Sequence, residues 1–234
     1  MGISKAVIGM VLIFCILFLP QCITVPAMYE TAEAKKEKRV GISGQYGEGT
    51  YTGLCESTKY TYKYGGIRAD YSAVEEYMSF IEAGFEAGAS ISGYIETKDE
   101  PDYDHKGAIV QLDIRPIGKI VTPTDPVRLG LKVAPGLLFY GGVSKRNAQY
   151  DIGGEIGSLS YVSALLGIGK PEFLTVGYHY CPYLYYLPDG FSFVSLAMHY
   201  KKYSFTLGTF IPLSTDESEV IPKRHFILGL GIHY

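Results

Sequence analysis

The sequence has no tryptophan, four cysteines, little net charge and, beyond residue 27, no long apolar run. Each lack excludes something. A formal charge of −3 gives no electrostatic footprint for nucleic acid. Two of the cysteines, Cys15 and Cys22, lie in the N-terminal apolar region. The remaining pair, Cys55 and Cys181, permits one disulfide in an oxidising compartment but forms no disulfide framework and has no zinc-ligand spacing. No metal or cofactor motif is present, and no stretch after Ala27 reaches the roughly 20 apolar residues of a spanning helix.

What is present begins with an export signal. Lys5 precedes an apolar run from Val7 to Leu19, followed by Pro20 and the small-residue stretch Val25-Pro26-Ala27. That order gives a charged n-region, an h-region too short to span a bilayer and a cleavage site after Ala27, with Ala34 as an alternative. Cys22 is preceded by Gln21, where a lipobox needs a small residue. The chain therefore divides into a signal peptide (1–27), a short charged periplasmic lead-in (28–38) and one domain (39–234). Without Lys5 the formal charge becomes −4.

In that domain the dominant period is two. Ile81, Ala83, Phe85, Ala87, Ala89, Ile91, Gly93 and Ile95 alternate with Glu82, Gly84, Glu86, Gly88, Ser90, Ser92 and Tyr94. Val127, Leu129, Leu131, Val133, Pro135, Leu137 and Phe139 alternate with Arg128, Gly130, Lys132, Ala134 and Gly136. Side chains on a strand point alternately to its two faces, so each run has one apolar and one small or charged face. Both exceed the 9–11 residues or so of a tilted membrane-crossing strand. Weaker alternation elsewhere places about ten strands, near 39–49, 57–72, 79–96, 107–121, 126–140, 150–169, 172–186, 190–200, 203–213 and 223–234, with eight as the alternative. A parity change at Gly65-Gly66 suggests a bulge. The expected fold is all-β, an antiparallel up-and-down transmembrane β-barrel. Short connections alternate with longer polar ones at 97–106, 141–149 and 214–222, as in outer-membrane barrels.

Charged residues make up only 19% of the chain, too few to clothe a soluble barrel. Tyr178, Tyr180, Tyr183, Tyr185, Tyr186, Phe191 and Phe193 cluster where interface girdles lie. The chain stops on Phe226, Leu228, Leu230, Ile232 and Tyr234, alternating with smaller or polar residues. This segment resembles the C-terminal assembly signal of bacterial outer-membrane barrels, which implies the barrel-assembly machinery as a partner. The mature chain resembles the small outer-membrane barrel superfamily, of the OmpA or OmpX transmembrane type. The resemblance implies location in a Gram-negative outer membrane, with its lipid and lipopolysaccharide as partners.

On the polar face, Glu82, Glu86, Asp113, Arg115, Arg128 and Lys132 set three acids against three bases. Pairing through the expected turns puts Glu82 near Arg128, and Glu86 near Arg115 and Lys132. Charges in a narrow lumen must pair, so these residues are expected to form a salt-bridged plug, with a selectivity lining as the alternative. His179, His199 and His233 share the inward parity. The primary reading is a non-enzymatic barrel with a structural or surface-interaction role. The alternatives are a narrow channel, or a surface lipid-modifying or proteolytic enzyme. Lipid A deacylases of this architecture pair a His with a nearby Ser; His199 with Ser195 or Ser204 comes nearest, without the family's local motif. Asp102, Asp104 and His105 bear a superficial likeness to the rim of omptin-type proteases. The acidic stretches 98–104 and 216–219 suit outward loops, hydrated or bridged to headgroups by cations.

Overall fold

The computed structural model describes residues 26, 31–52, 59–98, 105–146, 149–182, 191–211 and 224–234. The signal segment lies outside the described residues except for Pro26, as do Cys55, Tyr183, Tyr185, Tyr186 and both acidic stretches apart from Lys98. The described chain is all strand: β1 (Glu37–Thr52), β2 (Lys59–Met78), β3 (Ile81–Lys98), β4 (His105–Val121), β5 (Val127–Ala134), β6 (Leu137–Arg146), β7 (Gln149–Ser158), β8 (Tyr161–Gly169), β9 (Glu172–Cys181), β10 (Phe191–Tyr200), β11 (Tyr203–Ile211) and β12 (Arg224–His233).

Every pairing is antiparallel, and β1 closes on β12, with Arg39 opposite His233 and Glu48 opposite Arg224. The ring runs β1–β2–β3–β4–β5–β8–β9–β10–β11–β12 and back to β1, a closed ten-strand barrel. β6 and β7 prolong it. Against β4, Gly118 faces Val133 and Ile114 faces Leu137, so β5 and β6 keep one register as two halves of one line. β7 and β8 keep one register against that line in the same way. The ladder lapses at Pro135-Gly136, because proline brings no N–H. Side chains and backbone repair the gap: Gly136 N donates to Ser160 Oγ (3.1 Å), and Leu159 N donates to Gly136 O (3.2 Å). This patch is also where alternation fades in the sequence, near Ser158-Leu159. The ten-strand reading holds, and the eight-strand alternative does not.

The faces sort by parity. Phe85, Ile91, Leu131, Leu137, Phe226, Leu228 and Leu230 are exposed on the outside, while Glu82, Glu86 and Lys132 are buried within. The outside is thus an apolar band around a polar interior, the reverse of a soluble barrel.

Two expectations fail. No bulge occurs at Gly65-Gly66: β2 stays in register with β1 and β3 there, and its register shifts only near Glu76. Tyr62 and Tyr64 point into the lumen because Gly49 and Gly47, opposite them on β1, leave room for the rings. Phe191 and Phe193 also fill the lumen, joining the core with Tyr161, and are not girdle residues. Tyr178, by contrast, is exposed on the outer face.

Candidate functional site in the barrel lumen

The lumen is filled in three tiers. At the end where β1 begins and β12 finishes, residues 31–36 turn into the mouth and are tied to the wall. Ala32 N donates to Glu172 Oε1 (2.9 Å), Lys35 N donates to Glu82 Oε2 (3.3 Å), and Lys119 Nζ donates to Thr31 O (3.1 Å). Arg128 bonds Glu33 and Asp125 and comes within 4.0 Å of Glu172. In the turn beyond, a hydrogen bond from Lys170 holds the exposed Asp125 carboxyl below its usual range. The segment expected as a lead-in therefore closes this mouth, and its last two residues belong to β1. Ion pairs and hydrogen bonds to the wall hold residues 31–36.

The middle tier is ionic. Lys132 Nζ lies 2.6 Å from Glu86 Oε1, and Arg115 Nη2 lies 3.5 Å from Glu86 Oε2 and 3.4 Å from Asp113 Oδ1. Arg68 joins Asp70 (2.8 Å) to Asp113 (2.7 Å). Its guanidinium lies against Gly88 of β3, where a Cβ would collide with it. Nearer the termini, Glu82 takes Lys119 at 2.8 Å and Arg39 at 3.5 Å, and Arg39 also bonds Glu37.

The structure thus brings Glu86, Asp113, Arg115 and Lys132 together. It does not bring Glu82 to Arg128. Lys119 stands directly opposite Glu82 in the β3–β4 register, whereas Arg128 lies further toward the termini, among Glu33, Asp125 and Glu172. Sequence reading missed Arg39, Arg68, Asp70 and Lys119. The signal for Lys119 was available: it shares the parity of Asp113 and Arg115.

The third tier is neutral. Tyr62, Tyr64, Tyr94, Tyr140, Tyr161, Phe191 and Phe193 pack toward the end with the longer connections. Along β8–β11, His179 bridges Ser163 and Ser195 at 2.8 Å each and stacks on Phe193 at 4.5 Å. His199 meets Ser204 (2.7 Å) and Thr175 (2.8 Å), and Ser204 also bonds His233, which approaches Glu37 at 3.3 Å. The His–Ser pair singled out in the sequence is therefore real, but it sits inside the lumen near the closed mouth, away from the apolar outer wall. His225, of the same inward parity as His233, is buried against Phe210 and stacks on Tyr64. Among the described residues no group of three or more His, Cys, Asp or Glu could hold a metal ion. Cys181 is buried in the aromatic tier.

No protein-family model matches the chain, and no curated protein matches it in sequence. Among solved structures it is similar to the translocator domain of autotransporter NalP from Neisseria meningitidis, at 10% identity and a TM-score of 0.43, over 85% of this chain and 87% of that one. It is also similar to a KdgM porin, at 11% identity and a TM-score of 0.33, over 83% of this chain and 98% of the porin. These likenesses concern the fold alone.

Proposed function

We propose that the chain is a bacterial outer-membrane barrel of the small OmpA/OmpX type, exported by its N-terminal signal and closed to solutes. Its role is structural or surface-interacting rather than transport. The observation that carries the reading is the filled lumen inside an apolar exterior. Glu86, Asp113, Arg115 and Lys132 are all buried at mid-barrel and paired with one another, between a mouth closed by residues 31–36 and an aromatic tier. General porins with water-filled channels have 16–18 strands or so. The long connections face outward and both termini face the periplasm. Refolded protein in a planar bilayer is expected to give no stable conductance steps. Reproducible steps would overturn the closed-lumen reading and favour the narrow channel, for which the ionic tier would be the selectivity lining.

Insertion is assigned to the C-terminal strand and the barrel-assembly machinery. Phe226, Leu228 and Leu230 line the outside, and Tyr234 completes the seam, its N–H donating to Lys38 O at 2.8 Å. Leu228→Arg places a cation in the apolar band, at about 2–4 kcal/mol near the midplane. Deleting Tyr234 removes the terminal aromatic of the assembly signal. Both variants are expected to lower the folded, heat-modifiable band in outer-membrane fractions. Wild-type levels of that band for the truncated protein would refute the assembly-signal role.

A further inference from the structure

Near the closed mouth, one chain of side-chain contacts crosses five neighbouring strands on the inner wall. Glu172 and Thr175 stand on β9, His199 on β10, Ser204 on β11, His233 on β12 and Glu37 on β1, so the chain bridges the seam where the barrel closes. It starts with Glu172 against Thr175 and continues from Thr175 Oγ1 to His199 Nε2 (2.8 Å) and from His199 Nδ1 to Ser204 Oγ (2.7 Å). Ser204 Oγ then meets His233 Nε2, and His233 Nδ1 lies 3.3 Å from Glu37. Glu37, Glu172, Thr175 and Ser204 are buried, and both nitrogens of each ring are engaged.

The chain can be counted in protons. Each of its five links needs one hydrogen between two electronegative atoms. Ionised carboxylates bring none, and each hydroxyl and each neutral imidazole brings one, so Thr175, Ser204, His199 and His233 together supply four. Turning a hydroxyl or exchanging a tautomer moves the empty link but does not fill it. Wherever it lies, two lone pairs face each other in a site largely closed to water, which is unfavourable. One further proton fills every link.

Its place follows from the two ends. Glu37 is ion-paired to Arg39 and to Lys35 Nζ at 3.0 Å. Glu172 Oε1 accepts from Ala32 N at 2.9 Å, and Arg128 Nη1 lies 4.0 Å from Oε2. Both carboxylates are thus held in the ionised form. Glu172 then accepts from Thr175, Thr175 accepts from His199 Nε2, and His199 Nδ1 accepts from Ser204. His233 is left to donate to Ser204 through Nε2 and to Glu37 through Nδ1, as an imidazolium. Lys35 and Arg39 also face these rings and oppose the charge, whereas Glu37 touches it directly. The remaining charges nearby are paired with others: Glu82 with Lys119, and Glu33 with Arg128. A second proton has no link to fill and would set two cationic rings 5.9 Å apart.

We propose that this chain is a one-proton lock on the barrel seam: it holds His233 as the imidazolium through neutral pH, and the seam loosens when rising pH removes that proton. Folding takes the proton up, so the folded state binds more protons than the unfolded one. Stability is therefore full at pH values below the release and falls as pH rises through it, the unfolding constant growing by at most about tenfold per pH unit.

The test uses the full mature chain with isotope-labelled histidine, refolded in detergent micelles and checked by heat-modifiable mobility. Imidazole nitrogen chemical shifts distinguish the cation from each neutral tautomer, and His199→Gln and His233→Gln assign the signals. At about pH 7.5 an unperturbed imidazole is roughly nine-tenths neutral. His233 is expected there as the cation, and His199 as the neutral ring protonated at Nε2. Thr175→Val is the decisive variant, because Thr175 bonds Glu172 and His199 but neither His233 nor Glu37. It removes two links and one proton, which leaves three links for three protons. His199 should switch its proton to Nδ1, and His233 should release its own about one to two pH units lower, the roughly ten- to hundredfold of one charge-assisted hydrogen bond. Ser204→Ala reaches the same balance and should also lower the release, with His199 still protonated at Nε2. In urea titrations the fall of stability with pH should move down by the same interval in both variants. A neutral His233 in the wild type at about pH 7.5 overturns the proposal. So does a folded Thr175→Val or Ser204→Ala chain in which His233 titrates as in the wild type.

Discussion

The two inner walls of the barrel solve the same problem with different chemistry. On β1–β5 the lumen-facing positions carry Arg39, Arg68, Glu82, Glu86, Asp113, Arg115, Lys119 and Lys132, buried and interlocked across neighbouring strands. On β8–β11, beyond Glu172 at the mouth, the corresponding positions carry Ser163, Thr175, His179, Phe193, Ser195, Ser204 and Thr206, a neutral set. On the neutral wall His179 and its two serines are hydrogen-bonded, whereas on the ionic wall Arg68 Nη1, Asp70 Oδ2 and Arg115 Nε are buried without a hydrogen-bond partner, and the stakes differ. A neutral hydrogen bond contributes about 1 kcal/mol net, and an orphaned hydroxyl can turn to another acceptor. A buried ion stripped of its partner has no such recourse. The ionic wall is therefore intolerant of single changes, and the neutral wall absorbs them.

The largest expected effect follows from Arg68. It holds two carboxylates at once, Asp70 and Asp113, and is itself fully buried. Arg68→Met should cost about 3–5 kcal/mol, because Arg115 alone is left to both acids. Adding Asp70→Leu should restore part of the loss, since the excess negative charge is then removed. Equilibrium urea unfolding in vesicles reads both. If the double variant is no more stable than the single one, pairing is not what holds the ionic wall together.

The alternation that reveals β3 and β5 in the sequence is legible because the middle of their outer face is apolar at nearly every position, so Phe85, Ile91 and Leu131 fall on schedule. The inner face obeys a looser rule: it has to be filled, by charges, rings or glycines. Tyr62 and Tyr64 therefore read as outward residues and forced an imaginary bulge, which hid Arg68 and Asp70 on the same face. The clue lay on another strand, in Gly47 and Gly49, the small partners of the two rings. The partner of Glu82 was misread for a related reason. Which charge stands beside which depends on the offset each turn imposes, and Lys119 directly faces Glu82 while Arg128 does not. The closed mouth left no trace in periodicity, because residues 31–36 are held by contacts far along the chain, such as Ala32 with Glu172.

The smaller effect belongs to His179 on the neutral wall. Its ring bridges Ser163 and Ser195, stacks on Phe193 and lies over Gly177, where a Cβ would strike it. His179→Ala breaks both hydrogen bonds and the stacking, but the two serine hydroxyls it leaves are free to rotate. A loss of about 1–3 kcal/mol is expected, below that of Arg68→Met. The comparison sharpens in the apolar variant H179F/S163A/S195A, which removes donors and acceptors together and keeps a ring against Phe193. No polar atom of the three side chains then stays buried without a partner, so this triple variant should unfold closer to wild type than His179→Ala does, by the same urea titration. A triple variant less stable than the single one would mean that the His–Ser bridge contributes through its own hydrogen bonds. The neutral wall would then be as specific in its polar pairing as the ionic one.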